Sequence, residues 1–468
     1  MKAPDYRRRL STGIVHFGPG AFHRAHQADY IDRLLREDPR WGIAAVSLRS
    51  PGTIGALREQ DGLYTLAILD AEPSTRLLGP HSAFFGPGEA AGVRRTLRDP
   101  GVRFVTSTVT EKGYCLAGDG TLDFAHPDIV QDLAARHEPR SLIGWLALGL
   151  ADRRGAGAPT FTTLCCDNMA SNGRKLGAAV QAFAARIDPE LARWIAGEAL
   201  FPDTMVDSIT PATTKELRAR VRAQTGFDDA VPVCREAYSA WIIEDVLPPG
   251  SPDLAAAGAV LTGDVAGWER AKLRLLNGAH STIAYLGLLI GHATVAGAME
   301  DAGLAGFVEK LMIEDIAPTL EPSPLDLRTY AGEVLGRFRN PSIGHKLSQI
   351  AWDGSQKLPY RLLDTLADAR RAGRPVDRLA TAVAAWMLFI RRRARAGSEI
   401  VDPLATILAE AGNAADAPER LLALRQVFPK ELVADEAVRA AILAAFERLD
   451  GQGVRAALSA NQKEALLA

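Results

Sequence analysis

The pattern of hydrophobic and polar positions changes near residue 263. Before it, short β-branched or aromatic runs alternate with stretches in which apolar residues recur every three or four positions, which predicts strands and helices in turn. Strands that alternate with helices form a mostly parallel sheet. After it, helical periodicity continues to the end of the chain. We therefore predict an α/β fold: a mostly parallel sheet domain over residues 1–263 and a mainly α-helical C-terminal domain over residues 264–468.

The first predicted unit is a strand over residues 13–17, a Gly-Pro-Gly turn, one helix over residues 25–35 and a second strand over residues 43–48. A glycine turn after a first strand lets the backbone approach a pyrophosphate at the helix N-terminus, so the domain is expected to be Rossmann-like and to bind a dinucleotide. The third glycine of the usual GxGxxG is absent, because His23 holds its position. The predicted cofactor contacts in this turn are Gly18, Gly20, Ala21 and Phe22.

Two further strands are predicted over residues 102–109 and 160–166, and each runs into polar residues. Ligands of parallel sheets bind beyond the carboxyl ends of the strands, where Thr110 and Asn168 stand. Asn168 has an alternative role, as an N-cap or turn residue before the helix predicted over residues 173–187. Two later segments complete the domain: a loop is predicted over 201–214, and a strand followed by a helix over 231–245.

One helix of the second domain, WERAKLRLLNGAH (268–280), carries Glu269, Lys272, Asn277 and His280 within an arc of roughly 140° at about 100° per residue. Apolar residues share this arc, so the polar groups are expected to face a covered cleft. Burial there disfavours the ammonium form of Lys272 and suits it to exchange a proton near neutral pH. The alternative is an amphipathic helix whose lysine extends to solvent. Asn-Gly inside a helix is unfavourable, however, and calls for a functional reason.

The amino-acid composition limits the classes of molecule that the protein is expected to bind. The 468 residues contain 54 Lys plus Arg and 56 Asp plus Glu, so no basic excess points to nucleic acid, and a small-molecule ligand is expected. No signal peptide or membrane-length apolar run is evident, which predicts a cytoplasmic protein with no membrane partner. A monomer or weak oligomer is expected. No metal is predicted, because the nine histidines show no ligand spacing such as HExxH. Four cysteines without CxxC pairing are expected to be reduced core residues: Cys115, Cys165, Cys166 and Cys234.

Seven segments resemble the polyol-specific long-chain dehydrogenases, the mannitol dehydrogenase family, which includes fructuronate (mannonate) and tagaturonate oxidoreductases. They follow in the family's order and span about residues 13–362: IVHFGPGAFHRAHQADY, TVTEKGYC, TTLCCDNMASNG, FPDTMVDSITPAT, WIIEDVLP, KLRLLNGAHSTIAYLG and DGSQKLP. The resemblance implies zinc-independent hydride transfer between NAD(P) and a C2-type secondary alcohol of a sugar.

The resemblance also implies roles for particular residues. Lys272 matches the family's general acid/base, and Glu269 is similar to a glutamate on the proton's route to solvent. Three side chains match those that hold the reacting oxygen: Asn168, Asn277 and His280. Asp207 and Lys357 fall at substrate-binding positions, with Lys357 in the DGSQKLP segment, which is expected to form a turn.

The chain departs from the family at two places. Acidic residues tend to follow LRS at the end of the second strand, whereas here Pro51 and Gly52 follow; NAD is predicted from the family's usual use, and NADP stays open because Arg49 could accept a 2′-phosphate. An arginine eight residues before Lys357 is replaced by Gln349. The segment LSQIAWDGSQKLPYRLLD is closer to the fructuronate reductase branch, and VSLRS is closer to the mannitol branch.

These observations predict an NAD(P)-dependent dehydrogenase whose leading substrate pair is fructuronate and mannonate. Fructose and mannitol, or another polyol, form the alternative within the family. A nucleotide-binding sensor without turnover is the alternative from another class. Its weakness is that a sensor needs no proton donor, whereas this chain retains Lys272 together with Asn168, Asn277 and His280.

Overall fold

A computed structural model describes residues 2–464, with side chains described through residue 459. The chain divides into two compact units, Met1–Ala266 and Gly267–Ala468. No helix in the described part of the chain combines the length and the apolar character needed to cross a membrane.

The strands of the first unit are β1 (Thr12–Phe17), β2 (Gly42–Val46), β3 (Tyr64–Leu69), β4 (Ser74–Leu78), β5 (His81–Phe85), β6 (Phe104–Ser107), β7 (Thr162–Cys165), β8 (Thr204–Asp207), β9 (Val233–Glu236), β10 (Ala240–Glu244) and β11 (Val260–Thr262). Five of them form a parallel sheet in the order β5-β2-β1-β6-β7. Two three-stranded sheets, β11-β10-β8 and β4-β3-β9, accompany it.

The central strand β1 shows why the parallel sheet could be predicted from the sequence. Its successive side chains point to opposite faces: Ile14 joins one apolar core and Val15 the other. A parallel sheet covered on both faces favours such a nearly continuous apolar run, in which His16 is a buried polar residue. The strand order reverses between β1 and β6, and ligands of open α/β sheets bind at the carboxyl ends of strands at such a point. The predicted Rossmann-like parallel sheet is confirmed.

One loop prediction and one helix prediction were wrong, and both concern strands of the same small sheet. The segment 201–214 is not simply a loop, because it contains β8, and the second half of 231–245 is the strand β10 and not a helix. β8 and β10 pair antiparallel, with Asp207 opposite Ala240. Strands of four and five residues are too short to show an alternation, so their stability comes from a partner that is distant in the sequence.

The helices of the first unit are α1 (Ala21–Ala25), α2 (Gln27–Leu34), α3 (Gly52–Glu59), α4 (Ala90–Arg98), α5 (Pro127–Ala134), α6 (Leu142–Gly155), α7 (Asn172–Ile187), α8 (Pro189–Glu198) and α9 (Lys215–Thr225). The single helix predicted after the glycine turn is wrong, since α1 and α2 are separated at His26 (φ −118°, ψ −90°). The buried His26 ring donates from Nε2 to Ala240 O at 2.9 Å, so a tertiary contact accompanies the break.

From residue 265 onwards the described chain is mainly helical, as predicted. Its helices are α10 (Val265–Ala271), α11 (Ala279–Leu289), α12 (Val295–Met299), α13 (Ala302–Lys310), α14 (Leu327–Phe338), α15 (Leu347–Ile350), α16 (Gly354–Leu358), α17 (Asp364–Arg371), α18 (Asp377–Arg395), α19 (Ala405–Asn413), α20 (Ala417–Leu422), α21 (Lys430–Ala434), α22 (Glu436–Gly451) and α23 (Val454–Glu464). The long helix α18 is buried around Trp386 and packs against α11, α19 and α22.

Three segments of this unit are π-helical: Lys272–Gly278, Leu311–Ile316 and Pro359–Leu363. The predicted turn at DGSQKLP is therefore wrong, because these residues form α16 and enter the third π segment. Asp353 adopts a left-handed conformation (φ 54°) immediately before α16, which supplies the local change of direction that the Asp-Gly pair suggested.

Candidate active site

The two glycines of the turn after β1, Gly18 and Gly20, serve different purposes. Gly18 has φ +88°, its N–H donates to Val46 O at 2.9 Å, and a Cβ there would lie 2.3 Å from Thr108 O. Gly20 has an ordinary extended backbone, and a Cβ there would meet, among the described atoms, nothing nearer than Gly18 O at 3.9 Å. The fold thus requires glycine at 18, whereas at 20 it leaves open space, as a site for a pyrophosphate requires. Ala21 and Phe22 follow as the first residues of α1.

Three buried histidines, His16, His23 and His81, contact one another beside this turn. The His16 and His23 rings stack with centroids 3.4 Å apart, and Nε2 of His23 lies 3.1 Å from Nε2 of His81. Burial lowers the pKa of both His16 and His81 to about 3, so these imidazoles are neutral in the folded protein. The side chain at the position of the missing third glycine therefore packs inward. A histidine is therefore accommodated at position 23, where the usual motif has glycine, because its ring stacks on His16.

The ends of β6 and β7 are joined by Asp167, a residue that the sequence reasoning did not single out. Its carboxylate accepts hydrogen bonds from Val109 N (2.9 Å), Thr110 N (3.2 Å) and the Tyr114 hydroxyl (2.6 Å). Thr110 and Asn168 are both exposed beyond these strand ends. The N-cap of α7 is Ser171, so Asn168 does not cap that helix. Its only local signal as a site residue was its place after a buried strand.

Arg49 stands three residues beyond β2 and forms an ion pair with Asp128 in the first turn of α5 (Nη2 to Oδ2, 2.5 Å). Cys115, His126 and Asp128 bring ligand-type atoms within 4.8 Å of one another, a cluster that no spacing in the sequence announced. Its groups already have protein partners, since Asp128 pairs with Arg49 and His126 Nδ1 accepts from Asp128 N. Cys115, like the other three cysteines, is buried and unpaired with another cysteine. Asp207, the last residue of β8, is buried in the same unit.

In the second unit, Lys272 opens the first π segment, and the prediction of a regular α-helix through residues 268–280 was wrong. In an α-helix, residues five apart differ by about 140° around the axis. The i→i+5 hydrogen bonding of a π-helix brings such residues to nearly the same side, so Lys272 and Asn277 lie closer in direction than the α-helical arc implied. Lys272 is 8% exposed and His280 6%, while Glu269 and Asn277 are half-buried.

His280 carries the clearest unmet hydrogen-bonding capacity of this segment. Its Nε2 is buried and has no hydrogen-bond partner among the residues described. Burial, followed by the nearby His345, Arg361, Arg337 and Lys357, holds the pKa of His280 well below 6.5. The ring packs against Phe338 and His345, with centroids 5.1 and 4.8 Å away. A neutral, oriented imidazole with one ring nitrogen unpaired is suited to bind a substrate oxygen.

Two cations lie near this histidine. Lys357 Nζ donates to Trp352 O at 2.6 Å, and its pKa is lowered by burial and then by Arg361. Arg361, which the sequence reasoning missed, donates from Nη1 to Ser281 Oγ at 3.1 Å, while its buried Nε has no acceptor in the part of the chain described. Its spacing of four residues from Lys357 in a helical segment was the available signal.

Gly278 explains how the Arg361 segment reaches the π segment of Lys272. A Cβ on Gly278 would lie 2.8 Å from Arg361 O. The Asn-Gly pair that was unexpected inside a helix is thus a point of close backbone approach.

The sequence model of the mannitol dehydrogenase Rossmann domain matches residues 12–255, and that of the mannitol dehydrogenase C-terminal domain matches residues 264–450. The chain belongs to the mannitol dehydrogenase family. Family membership confirms the predicted class of enzyme, an NAD(P)-dependent oxidoreductase acting on secondary alcohols.

Among members of the mannitol dehydrogenase family, the D-mannonate oxidoreductase of Escherichia coli (strain K12) is 38% identical over 467 residues, covering 97% of this chain and 96% of that protein. The mannitol 2-dehydrogenase of Pseudomonas fluorescens, solved as a ternary complex with NAD and D-mannitol, aligns with a TM-score of 0.82 at 34% identity, over 98% of this chain and 95% of that one. A D-sorbitol dehydrogenase in substrate-free form aligns with a TM-score of 0.91 at 31% identity, over 98% and 97% of the two chains.

Proposed function

We propose that the protein interconverts a keto-uronate and its aldonate partner, fructuronate and D-mannonate, by zinc-independent hydride transfer with NAD(H). The observation that carries this choice of substrate is the partly buried guanidinium of Arg361 beside Lys357, whose buried Nε has no acceptor among the described residues. The 38% identity to a D-mannonate oxidoreductase supports it. In this proposal residues 1–263 bind the dinucleotide, and residues 264–468 supply the acid/base and bind the substrate.

Lys272 is the proposed general acid/base, removing the hydroxyl proton during oxidation and returning it during reduction. Asn168, Asn277 and His280 hold the reacting oxygen, and Glu269 passes the proton to solvent. His280 supports this assignment, because its buried Nε2 is unpaired among the described residues and its pKa is depressed. NAD, when bound, supplies the hydride acceptor. Gly18, Gly20, Ala21, Phe22, Arg49 and Thr110 are the proposed residues around it.

Arg361 and Lys357 form the proposed carboxylate site, and Asp207 is proposed to accept sugar hydroxyl groups. Burial lowers the pKa of both cations, so neither is fully compensated in the protein alone. A carboxylate would give Arg361 Nε a charge-assisted partner and would lower the repulsion between the two cations. In this proposal Arg361, twelve residues after Gln349, supplies a cation in place of the family arginine that is absent at 349.

The ternary complex of the related mannitol 2-dehydrogenase with D-mannitol favours mannitol and fructose as the second candidate pair.

The experiment compares kcat/KM for fructuronate and fructose in the native protein, in Arg361→Gln and in Lys357→Met, with the exposed Arg374→Gln as the matched control for loss of one positive charge. We expect fructuronate to be preferred, and each site variant to lose at least tenfold on fructuronate, equivalent to about 1.4 kcal/mol. Fructose should change much less, and the control should change neither value. A native preference for fructose, or an equal loss on both substrates, would assign the protein to the mannitol branch.

A further inference from the structure

The residues that follow β2 in this chain contain no acid to read the ribose of the cofactor. In dinucleotide-binding sheets an Asp or Glu at the end of the second strand accepts the 2′-hydroxyl of NAD, whereas an arginine accommodates the 2′-phosphate of NADP. Here Arg49 is followed by Ser50, Pro51 and Gly52. Local sequence alone would therefore suggest a site open to NADP.

The structure places an acid at this position from elsewhere in the chain. Asp128, 79 residues after Arg49, pairs with its guanidinium at 2.5 Å. The two partners differ in freedom: the Arg49 side chain is 72% exposed, whereas that of Asp128 is 19% exposed. Asp128 also belongs to the first turn of α5, where a carboxylate is favoured by the helix dipole, and its N–H donates to His126 Nδ1. The acid is thus the fixed member of the pair.

We propose that Asp128 selects NAD(H) over NADP(H), acting in place of the acid missing after β2. It neutralises Arg49, the cation that would bind a 2′-phosphate, and it sets its own negative charge beside that phosphate. A 2′-hydroxyl meets neither obstacle and can donate to the carboxylate. This inference rests on the assignment of the nucleotide site to the first unit.

The test measures dissociation constants by fluorescence titration with NADH and NADPH, and by calorimetry with 5′-AMP and adenosine 2′,5′-bisphosphate, which differ only in the 2′-phosphate. The full-length variants are Asp128→Asn, Arg49→Gln and the double variant. Asp119→Asn is the control, because this exposed carboxylate accepts hydrogen bonds from Thr121 and its loss removes the same charge.

The native protein should bind NADH at least tenfold more tightly than NADPH. Asp128→Asn should reduce that ratio at least tenfold, the double variant should lose the gain in NADPH affinity, and Asp119→Asn should leave the ratio unchanged. Arg49→Gln should keep or increase the preference for NADH, which tests the idea even if Asp128→Asn fails to fold.

A native preference for NADPH, an unchanged ratio in Asp128→Asn, or a lost preference in Arg49→Gln would overturn the proposal. If NADH binds but the ratio of NADH to NADPH affinity is unchanged in Asp128→Asn, the nucleotide site is retained and only the proposed role of Asp128 is wrong. If the native protein binds no nucleotide, the site assignment itself falls.

Discussion

Replacing each glycine of the turn after β1 by alanine should separate folding from cofactor binding. Gly20 has φ −71° and ψ −172°, which alanine adopts without strain, and its added methyl would touch almost nothing in the protein. Such a change reduces the conformational entropy of the unfolded chain and stabilises by roughly 0.4–1 kcal/mol. The same methyl would occupy the space assigned to the pyrophosphate. We therefore expect Gly20→Ala to fold normally and to bind NADH at least tenfold more weakly, about 1.4 kcal/mol.

Gly18→Ala should do the reverse. Its φ of +88° costs a residue with a side chain about 1–3 kcal/mol, and the new Cβ would press on Thr108 O from 2.3 Å. Gly88 provides the matched control, since its φ is +86° and nothing lies within 4 Å of its added Cβ. The excess destabilisation of Gly18→Ala over Gly88→Ala therefore measures the collision alone.

The assay is urea denaturation of each variant together with fluorescence titration by NADH. Gly55→Ala, within α3 and also open to a methyl group, should be as stable as Gly20→Ala and should bind NADH normally. Native-like NADH affinity in Gly20→Ala would refute the assignment of this turn to the pyrophosphate. Equal stability of Gly18→Ala and Gly88→Ala would refute the argument from close packing.

Three further expectations concern single side chains. Lys272→Ala should lower kcat by 10²- to 10⁴-fold while NADH affinity, measured by titration, stays within about twofold, because in the proposed mechanism the lysine acts on the substrate oxygen and not on the dinucleotide. Asn277→Ala should lower kcat more than it raises KM in steady-state assays, since in the proposed mechanism its amide stabilises charge that grows toward the transition state; a change in KM alone would make it a substrate contact. His81 has its pKa lowered to about 3 by burial, so the unfolded chain binds a proton below pH 6.5 that the folded protein does not, and stability is lost as the pH falls. His81→Gln should reduce the loss of unfolding free energy between pH 6.5 and 5.5 by about 1 kcal/mol in urea denaturation, and an unchanged loss would contradict a buried neutral imidazole.

A structural element could be predicted from the local sequence where one stretch of chain contained the whole physical reason for it. Because both faces of β1 are buried, its sequence is a nearly continuous apolar run that includes Ile14, Val15 and Phe17, and the glycine turn follows directly. An element could not be predicted where the reason for it was a contact with a distant part of the chain. β8 depends on β10, the break at His26 accompanies a bond to Ala240, and Arg49 meets an acid from α5.

The π segment was missed for a different reason. Grouping Lys272 with Asn277 assumed 100° per residue, and hydrophobic periodicity over seven residues cannot distinguish that winding from a looser one. The roles of these residues stay predictions until the variants are measured. Arg361 lies one helical turn after Lys357 and just beyond the DGSQKLP segment, so the motif itself indicates only the lysine.

The contact between Gly278 and Arg361 has a consequence for how this enzyme family can diversify. It joins backbone to backbone, with Gly278 Cα facing the carbonyl oxygen of residue 361, so it does not depend on which side chain residue 361 carries. A lineage could therefore exchange the guanidinium for a smaller or neutral group without moving the segment that holds Lys272 and Asn277. If Arg361 binds the substrate carboxylate as proposed, substrate preference would then change through point substitutions at 361, while the residues proposed for proton transfer keep their positions. Gly278 itself has no such latitude, because any side chain there would push the two segments apart.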